Sequence, residues 1–287
     1  MQIAIGLPGT IPGVSGEFIL DWAKLAEVGP FSSFAVLDRL IYPNYEPLIT
    51  LAAVAGVTER MRLMTSILIA PLHNTAILAK QAASIDALSN GRLTLGIAVG
   101  GRQDDYQAAQ VPFHECGKRF DEQLATMKRI WSGQRLSDNV GAIGPNPVHK
   151  GGPELLIGGY SPEAIKRVGR WGDGFISGGG GPDAARQGYN VAEQSWKEAG
   201  RPGKPRFVGA TYYGLGQDAA EKATRYIRHY YSFMGPMADR IASSVPSTPE
   251  AIKGALKAFA DVGVDELIFW PTIADLNQVD MLAELVG

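Results

Sequence analysis

Side chains with the potential for chemistry follow two neighbouring apolar runs of this 287-residue sequence. Asp38-Arg39 comes after one run, and His73 comes after the next. Arginine stays protonated near pH 7, so Arg39 can stabilise a developing anion or hold a substrate carboxylate but cannot act as a general base. The alternative is a buried structural contact of Arg39 with Asp38 or with the backbone. His73 can titrate near neutral pH, or it can be a solvated loop residue.

The glycines form a second group with a possible function. There are 35 of them, and they cluster after predicted strands at Gly100-Gly101, at Gly158-Gly159 and at 178–181. In 155–163 a strand leads through a glycine turn to a helix, with Ser161 as the N-cap and proline in the first turn. Glycines let a ligand approach the backbone, and free N–H groups at a helix N-terminus favour an anion. The sequence therefore predicts either a phosphate cradle or a tight turn that needs a positive φ.

These residues are positioned by an alternation of strands and helices along the whole chain. Apolar residues recur at helical spacing in 118–132, and Thr248 with Pro249 marks another helix start. Eight strands, each followed by a helix, predict an α/β fold of the (β/α)8 barrel type, with an open doubly wound sheet as the alternative. The predicted strands are Ile3–Leu7, Ser33–Leu37, Arg62–Ile67, Leu93–Val99, Glu154–Gly158, Gly174–Ser177, Phe207–Tyr213 and Glu266–Trp270.

Two segments interrupt this alternation within the single domain expected for residues 1–287. Residues 133–153 are rich in Gly and Pro without a period, which predicts a long loop. Residues 218–247 are too long for one barrel helix and are rich in Tyr and Met. They predict an extra helical segment packed on the barrel, or a lid or subunit contact; the aromatic part, 226–237, suggests a homodimer.

Composition excludes several classes of protein. The formal net charge is −2 and there is no Lys/Arg-rich run, so neither nucleic acid nor an anionic membrane is expected as the main partner. No stretch approaches the ~18 apolar residues of a membrane helix, and the first residues lack a secretory pattern. The single Cys116 cannot form an internal disulfide, which fits a cytoplasmic protein. The sequence has no cysteine pair and no histidine pair at helical spacing, so a metal site is not expected.

Three segments resemble the bacterial luciferase-like family of flavin-dependent oxidoreductases. They are ERMRLMTSILIAPLHNTAILAKQAASIDALSNGRLTLGIAVGG (59–101), QVPFHECGKRFDEQLATMKRIWSG (110–133) and LLIGGYSPEAIKRVGRWGDGF (155–175). The resemblance covers nearly the whole chain in the expected order. It implies a (β/α)8 barrel that binds flavin mononucleotide (FMN), or the related deazaflavin coenzyme F-420, across the C-terminal ends of the strands.

The resemblance also implies roles for individual residues. The cofactor phosphate would lie at Gly158, Gly159, Tyr160 and Ser161. A bulge or a cis peptide bond between Ser66 and Ile67 would lie behind the flavin ring, which Val99 and Gly100 would contact at its ribityl chain or edge. Tyr106 matches an aromatic residue that the family commonly has, and it is expected, with Tyr212 and Trp270 at the ends of strands seven and eight, to line a substrate pocket. Aromatic residues at these places are equally common as barrel packing.

Two departures from the family pattern affect the functional prediction. Relatives often have an acid followed by a catalytic histidine where this chain has Asp38-Arg39, so proton abstraction there is in doubt. Gly101 stands where some deazaflavin-dependent dehydrogenases keep an acid. Both favour FMN. The catalytic candidates are accordingly Arg39, Asp38 and His73.

The leading hypothesis is a monooxygenase that uses reduced FMN and O₂ on a small-molecule substrate. A separate flavin reductase would supply the reduced flavin, because the chain lacks the G-x-G-x-x-G spacing of a nicotinamide site. Hydride transfer with deazaflavin is the first alternative, which a basic cluster would support; the local group is Lys166, Arg167 and Arg170. A flavin-binding barrel without turnover is the second alternative.

Overall fold

Eight strands rich in β-branched and aliphatic residues form a closed parallel barrel in the computed structural model, which describes residues 1–287. Strand β1 pairs with both β2 and β8, which closes the sheet. The predicted (β/α)8 barrel is therefore confirmed, and the open-sheet alternative is wrong. The strands are β1 (Gln2–Gly6), β2 (Ser33–Val36), β3 (Arg62–Ile69), β4 (Leu93–Ala98), β5 (Glu154–Gly158), β6 (Gly174–Ile176), β7 (Arg206–Tyr213) and β8 (Glu266–Pro271).

Twelve helices lie outside the strands or over their ends. The predicted apolar stripe at 118–132 is buried in α5, and the Thr248 side chain accepts a hydrogen bond from the Ala251 N–H, as expected of an N-cap. The helices are α1 (Gly16–Glu27), α2 (Pro47–Ala55), α3 (Thr75–Leu88), α4 (Gln103–Ala108), α5 (Cys116–Trp131), α6 (Pro162–Ile165), α7 (Arg167–Trp171), α8 (Gly181–Glu198), α9 (Ala219–Tyr230), α10 (Met237–Ser243), α11 (Pro249–Asp261) and α12 (Asn277–Val286).

Two apolar cores hold the barrel together. The larger lies between the strands and the surrounding helices. The smaller fills the inside of the barrel, and its members include Met64, Leu156, Ile268 and Trp270. Since successive side chains of a strand point to opposite faces, both cores are built from the same eight strands.

Residues 133–153 contain neither a helix nor a strand, apart from one isolated bridge between Ser137 and Val140, so the predicted long loop is confirmed. The extra segment 218–247 is helical but divided: it holds α9, a 3₁₀ turn (Ser232–Met234) and α10.

The extra segment packs on the loops that follow β1 and β2. Hydrogen bonds join Tyr226 to Thr10 (2.7 Å) and His229 to Tyr42 (2.8 Å), and an apolar cluster lies between them. These loops leave the C-terminal ends of the strands, so the segment lies at that end of the barrel. None of the helices has the length and apolar character required to span a membrane.

Candidate functional site

The turn after β5 presents unpaired backbone donors. The N–H groups of Gly159, Tyr160 and Ser161 have no acceptor within the protein, and the Ser161 side chain caps the next helix by accepting from the Ala164 N–H (3.2 Å). N–H groups at such a helix start, at the positive end of its dipole, favour an anion. The turn can therefore hold a phosphate without any basic side chain.

Close packing, and not a positive φ, explains the glycines of this turn. Neither Gly158 nor Gly159 has a positive φ. A Cβ at Gly159 would lie 2.5 Å from the Ala164 Cβ, and one at Gly158 would lie 2.1 Å from Ile67 Cδ1. The alternative of a turn that needs a positive φ is therefore wrong, and the close approach supports a cradle.

Tyr160 projects from the cradle and is 83% exposed. Its hydroxyl lies beside the turn after β6, where a Cβ at Gly178 would approach it to 2.3 Å. An aromatic ring therefore lies beside the unpaired N–H groups of this turn.

Strand β3 has a break in its register behind this turn. The peptide bond between Ser66 and Ile67 is cis, and the pairing with β4 shifts between Thr65 and Leu68. Both the cis bond and the bulge that the resemblance implied are therefore present. Ile67 points into the barrel, where it packs against the inner core and against Gly158.

The end of β4 is supported from behind by a buried tyrosine. The Tyr106 hydroxyl donates a hydrogen bond to the Val99 carbonyl, and its ring packs edge-on against Phe113. Burial raises the pKa of Tyr106 far above its usual value, which keeps the hydroxyl a donor. Tyr106 was expected to line a substrate pocket. It is only 1% exposed, and it supports Val99 from behind.

Gly100 follows Val99 with φ +69°, a conformation that favours glycine, and a Cβ there would touch Ile69. The chain can therefore turn away from the end of β4 and leave the Val99–Gly100 peptide open to the mouth of the barrel, where the resemblance implied contact with a flavin.

The structure brings Asp38 and His73 together, although they come from different strands. The Asp38 carboxylate accepts the Ile69 N–H (2.8 Å), and its Oδ2 lies 3.8 Å from His73 Nε2. The His73 carbonyl accepts from Arg119 (3.1 Å) and Gln123 (3.0 Å), both on α5. A carboxylate beside an imidazole can orient the ring. This pair can hold or move a proton.

Arg39 points away from Asp38 and is 8% exposed. Its Nε lies 3.6 Å from the Asp105 carboxylate, and Nη2 donates to the Ile41 carbonyl (3.2 Å). The guanidinium lies over the rings of Tyr42, Tyr230 and Phe233 at 5.2, 5.4 and 5.7 Å. Of the structural contacts considered for Arg39, the one with the backbone is present and the one with Asp38 is absent. Arg39 joins the β2 loop to the extra segment 218–247.

Asp105, just past β4, was not given a role from the sequence. It is fully buried in α4 and accepts the N–H groups of Leu40 (3.1 Å) and Ile41 (2.7 Å), so it shapes the loop that carries Arg39. Its place in the first turn of a short helix was visible in the sequence. Its contact with a loop 65 residues away was not visible in the sequence.

Tyr212 and Trp270 pack at the top of the inner core, on paired positions of β7 and β8. Trp270 covers Gly6, where a Cβ would lie 2.2 Å from its ring. The Tyr212 hydroxyl is 2.9 Å from that of Tyr231, which belongs to the extra segment. Burial raises the pKa of Tyr231 to about 12, so this pair stays protonated at neutral pH. Tyr231 was not among the predicted site residues.

A phosphate-bearing flavin fits this end of the barrel. The three N–H groups of the cradle have no acceptor within the protein, and a phosphate would supply one. Beside the cradle, Ile67, Val99 and Tyr212 give the mouth of the barrel a partly apolar surface, which suits a planar ring. Nowhere do three His, Cys, Asp or Glu side chains converge as metal ligands.

Comparisons with known proteins agree with this geometry. The family model described as luciferase-like monooxygenase matches residues 3–280, so the chain belongs to that family. An uncharacterised protein of Mycobacterium tuberculosis is 29% identical over 212 residues, which are 64% of this chain and 73% of that protein. The oxygenase component of the flavin-dependent trigonelline monooxygenase of Acinetobacter baylyi is 24% identical over 276 residues, 82% of this chain and 76% of that protein.

Solved structures share the fold across the full chain. The monooxygenase RslO1 from Streptomyces bottropensis superposes with a TM-score of 0.79 at 18% identity, covering 100% of this chain and 98% of that one. The F420-dependent tetrahydromethanopterin reductase from Methanopyrus kandleri gives 0.80 at 15% identity, covering 99% and 98%. The fold is therefore shared by a monooxygenase and by an F420-dependent reductase.

Proposed function

We propose that this protein is a flavin-dependent oxidoreductase, specifically a monooxygenase that uses reduced FMN and O₂ on a small organic substrate. The observation that carries the proposal is the cradle of three unpaired N–H groups at Gly159, Tyr160 and Ser161. The family match supports it, as does the curated relative that is named a flavin-dependent monooxygenase component.

FMN would supply the redox chemistry, and the protein would position it and exclude water. The cradle would hold the phosphate, Ile67 would support one face of the ring, and Val99 with Gly100 would contact its edge. Tyr212 and Trp270 would limit the substrate side. Asp38 would orient His73, whose Nε2 would hold or deliver the proton that oxidation of the substrate requires.

Deazaflavin is the second candidate cofactor, and the structure gives its basic cluster other partners. Arg167 is bound to Asp121 (2.8 Å), and Arg170 lies 4.6 Å over the ring of Trp171. Fewer free cations are left for an acidic coenzyme tail, which favours FMN. The Asp38–His73 pair argues against a flavin-binding barrel without catalytic turnover, because it supplies the titratable side chain that position 39 lacks.

The deciding experiment is a fluorescence titration of the protein with FMN and with F-420. The complex is then reduced, and O₂ consumption is measured with and without a panel of small organic compounds. We expect saturable quenching of FMN fluorescence and O₂ consumption that depends on one class of compound. Binding of F-420 alone would favour the deazaflavin function, and binding of neither cofactor would contradict the proposal.

The Asp38–His73 pair gives a second test of the same proposal. We expect Asp38→Asn to lower substrate-dependent turnover by about 10- to 100-fold while FMN affinity stays unchanged, because the pair handles a proton and does not hold the phosphate. His229→Gln is the control, since His229 belongs to the extra segment, where its ring is hydrogen-bonded to Tyr42. Equal turnover in Asp38→Asn and the wild type would remove the pair from the mechanism.

A partner reductase and a homodimer remain part of the proposal. Apolar side chains are exposed on α2 and α3, where Leu88 is 81% exposed, and at Phe233, Met234 and Met237 in the segment 226–237. Exposed apolar patches of this kind are typical of contact surfaces. Sedimentation of the pure protein would test the dimer.

A further inference from the structure

The end of the barrel opposite the cradle is closed by charged side chains. Arg206 forms ion pairs with Glu154 and with the fully buried Glu266. Arg62 reaches Glu154 (3.3 Å) and donates to Thr94 (2.7 Å). Two arginines and two glutamates thus neutralise each other at the N-terminal ends of β3, β5, β7 and β8.

A polar cavity of about 670 Å³ opens below this network. None of its ten lining residues is hydrophobic, and they include Lys128 of α5 and the loop His149–Gly152. The volume lies within the range of about 300–1,000 Å³ that is typical of small-molecule sites. Charged and polar side chains and glycines line this cavity, which suits a polar ligand.

The cavity has more positive than negative charge to offer. Glu154 is already shared by two arginines, and Asp173 accepts the Leu155 N–H (2.9 Å) and faces Arg201 (3.6 Å). Lys128 and Lys150 are absent from the ion pairs of the chain, whose lysine members lie elsewhere. Burial lowers the pKa of Lys128. Asp173 opposes this shift and Arg201 adds to it, and the pKa remains lowered. An anion beside Lys128 would offset this cost.

Two residues of the cavity lining also have unpaired backbone donors. The N–H groups of Lys150 and Gly151 have no acceptor within the protein, and Gly151 and Gly152 have φ of +91° and +117°. A Cβ at Gly152 would lie 2.3 Å from the Trp131 ring, so the loop is held against α5, the helix that carries Lys128. The two lysines and the two N–H groups therefore belong to one packed unit.

We propose that this cavity is a binding site for a small, multiply charged organic anion that bears phosphate or several carboxylates. Lys128, Lys150 and the N–H groups of Lys150 and Gly151 would contact the anion. The site lies at the end of the barrel away from the flavin cradle, so it is a second site, independent of the proposed catalytic one.

The test is calorimetric titration of the full-length protein with pyrophosphate and with citrate, in chloride buffer of constant ionic strength. We expect saturable binding of at least one anion, and the one that binds identifies phosphate or carboxylate as the recognised group. Lys128→Gln should weaken binding by about tenfold or more, because it removes a charge-assisted hydrogen bond to the anion. Lys128→Arg, which keeps the charge, should retain most of the affinity.

Lys118→Gln is the matched control, because Lys118 is an exposed lysine on the same helix and does not line the cavity. Its affinity for the anion should equal that of the wild type. Absence of saturable binding of both anions at millimolar concentration would overturn the proposal. Equal affinities for Lys128→Gln and Lys118→Gln would do the same. FMN titration of Lys128→Gln should give the wild-type value and so verify that the barrel is intact.

Discussion

At the C-terminal end of the barrel an anion would meet backbone N–H groups, whereas at the N-terminal end it would meet arginine and lysine side chains. Backbone donors carry no formal charge, so the cradle at Gly159 needs no counter-ions and does not titrate. At the other end the partly buried Arg206 is neutralised by Glu154 and by the fully buried Glu266. The C-terminal end should therefore lose anion binding when atoms are added to the cradle, and the N-terminal end should lose stability when a charge is removed.

The largest expected effect comes from breaking the charged end. Arg206→Met leaves the buried Glu266 without its cation, and we expect a loss of about 3–5 kcal/mol in the free energy of unfolding. Urea unfolding followed by circular dichroism measures it. Arg225→Met, which breaks the exposed Arg225–Glu221 pair, should cost less than about 1 kcal/mol. Similar losses in the two variants would mean that the network at the N-terminal end does not stabilise the barrel.

The cradle should fail when atoms are added to it. Gly159→Asp places a Cβ within 2.5 Å of the Ala164 Cβ and a negative charge beside the phosphate. We expect FMN affinity to fall by about 100-fold or more, equal to about 2.7 kcal/mol, in a fluorescence quenching titration. Gly254→Asp is the control, since a Cβ there meets nothing within 4 Å. An unchanged affinity for Gly159→Asp would rule out the cradle.

The two ends should also respond differently to pH. Burial opposes ionisation of Glu154, but Arg206, Thr94 and Arg62 outweigh it and lower the pKa of this carboxyl below 4.5. A lowered carboxyl pKa adds stability that is present above pH 4.5 and is lost as the pH falls through the lowered value. Urea unfolding at a series of pH values below 5 should show this loss in the wild type and a smaller one in Arg206→Met. Parallel curves for the two proteins would contradict the assignment.

The smallest effect is expected at the aromatic contact above the mouth. Tyr231→Phe removes one hydroxyl of the Tyr212–Tyr231 pair and leaves the other without its partner, which should cost about 1 kcal/mol of unfolding free energy. Tyr45→Phe is the control, because Tyr45 is exposed and its hydroxyl makes no hydrogen bond. If both variants unfold like the wild type, the hydroxyl pair does not hold the extra segment to the barrel.

Local patterns predicted much of the fold. All eight strands and the helix starts at Ser161 and Thr248 were predicted correctly, because apolar periodicity and capping depend on residues only a few positions apart. The cis bond at Ser66–Ile67 was expected only through the family resemblance, since no local pattern encodes it.

Contacts between different strands could not be predicted in the same way. Arg39 was expected to bind an anion or, as the alternative, to contact Asp38 or the backbone; the backbone contact is present, and its charged partner is Asp105 of α4. Tyr106 was expected in a pocket, yet it is buried behind Val99. Each outcome depends on the direction in which the side chain points, which is set by packing in three dimensions and not by the apolar periodicity of the sequence.

The sequence by itself determined the order of strands and helices, the glycine turn after β5 and the family, because these depend on short-range spacing and composition. Only the tertiary structure decided which side chains share a site. Closure of the barrel placed His73 3.8 Å from Asp38, and it joined Arg206 of β7 to Glu154 of β5 and Glu266 of β8. The physical reason is that a closed parallel barrel gathers all like strand ends into one place, where residues distant in sequence must neutralise or orient one another.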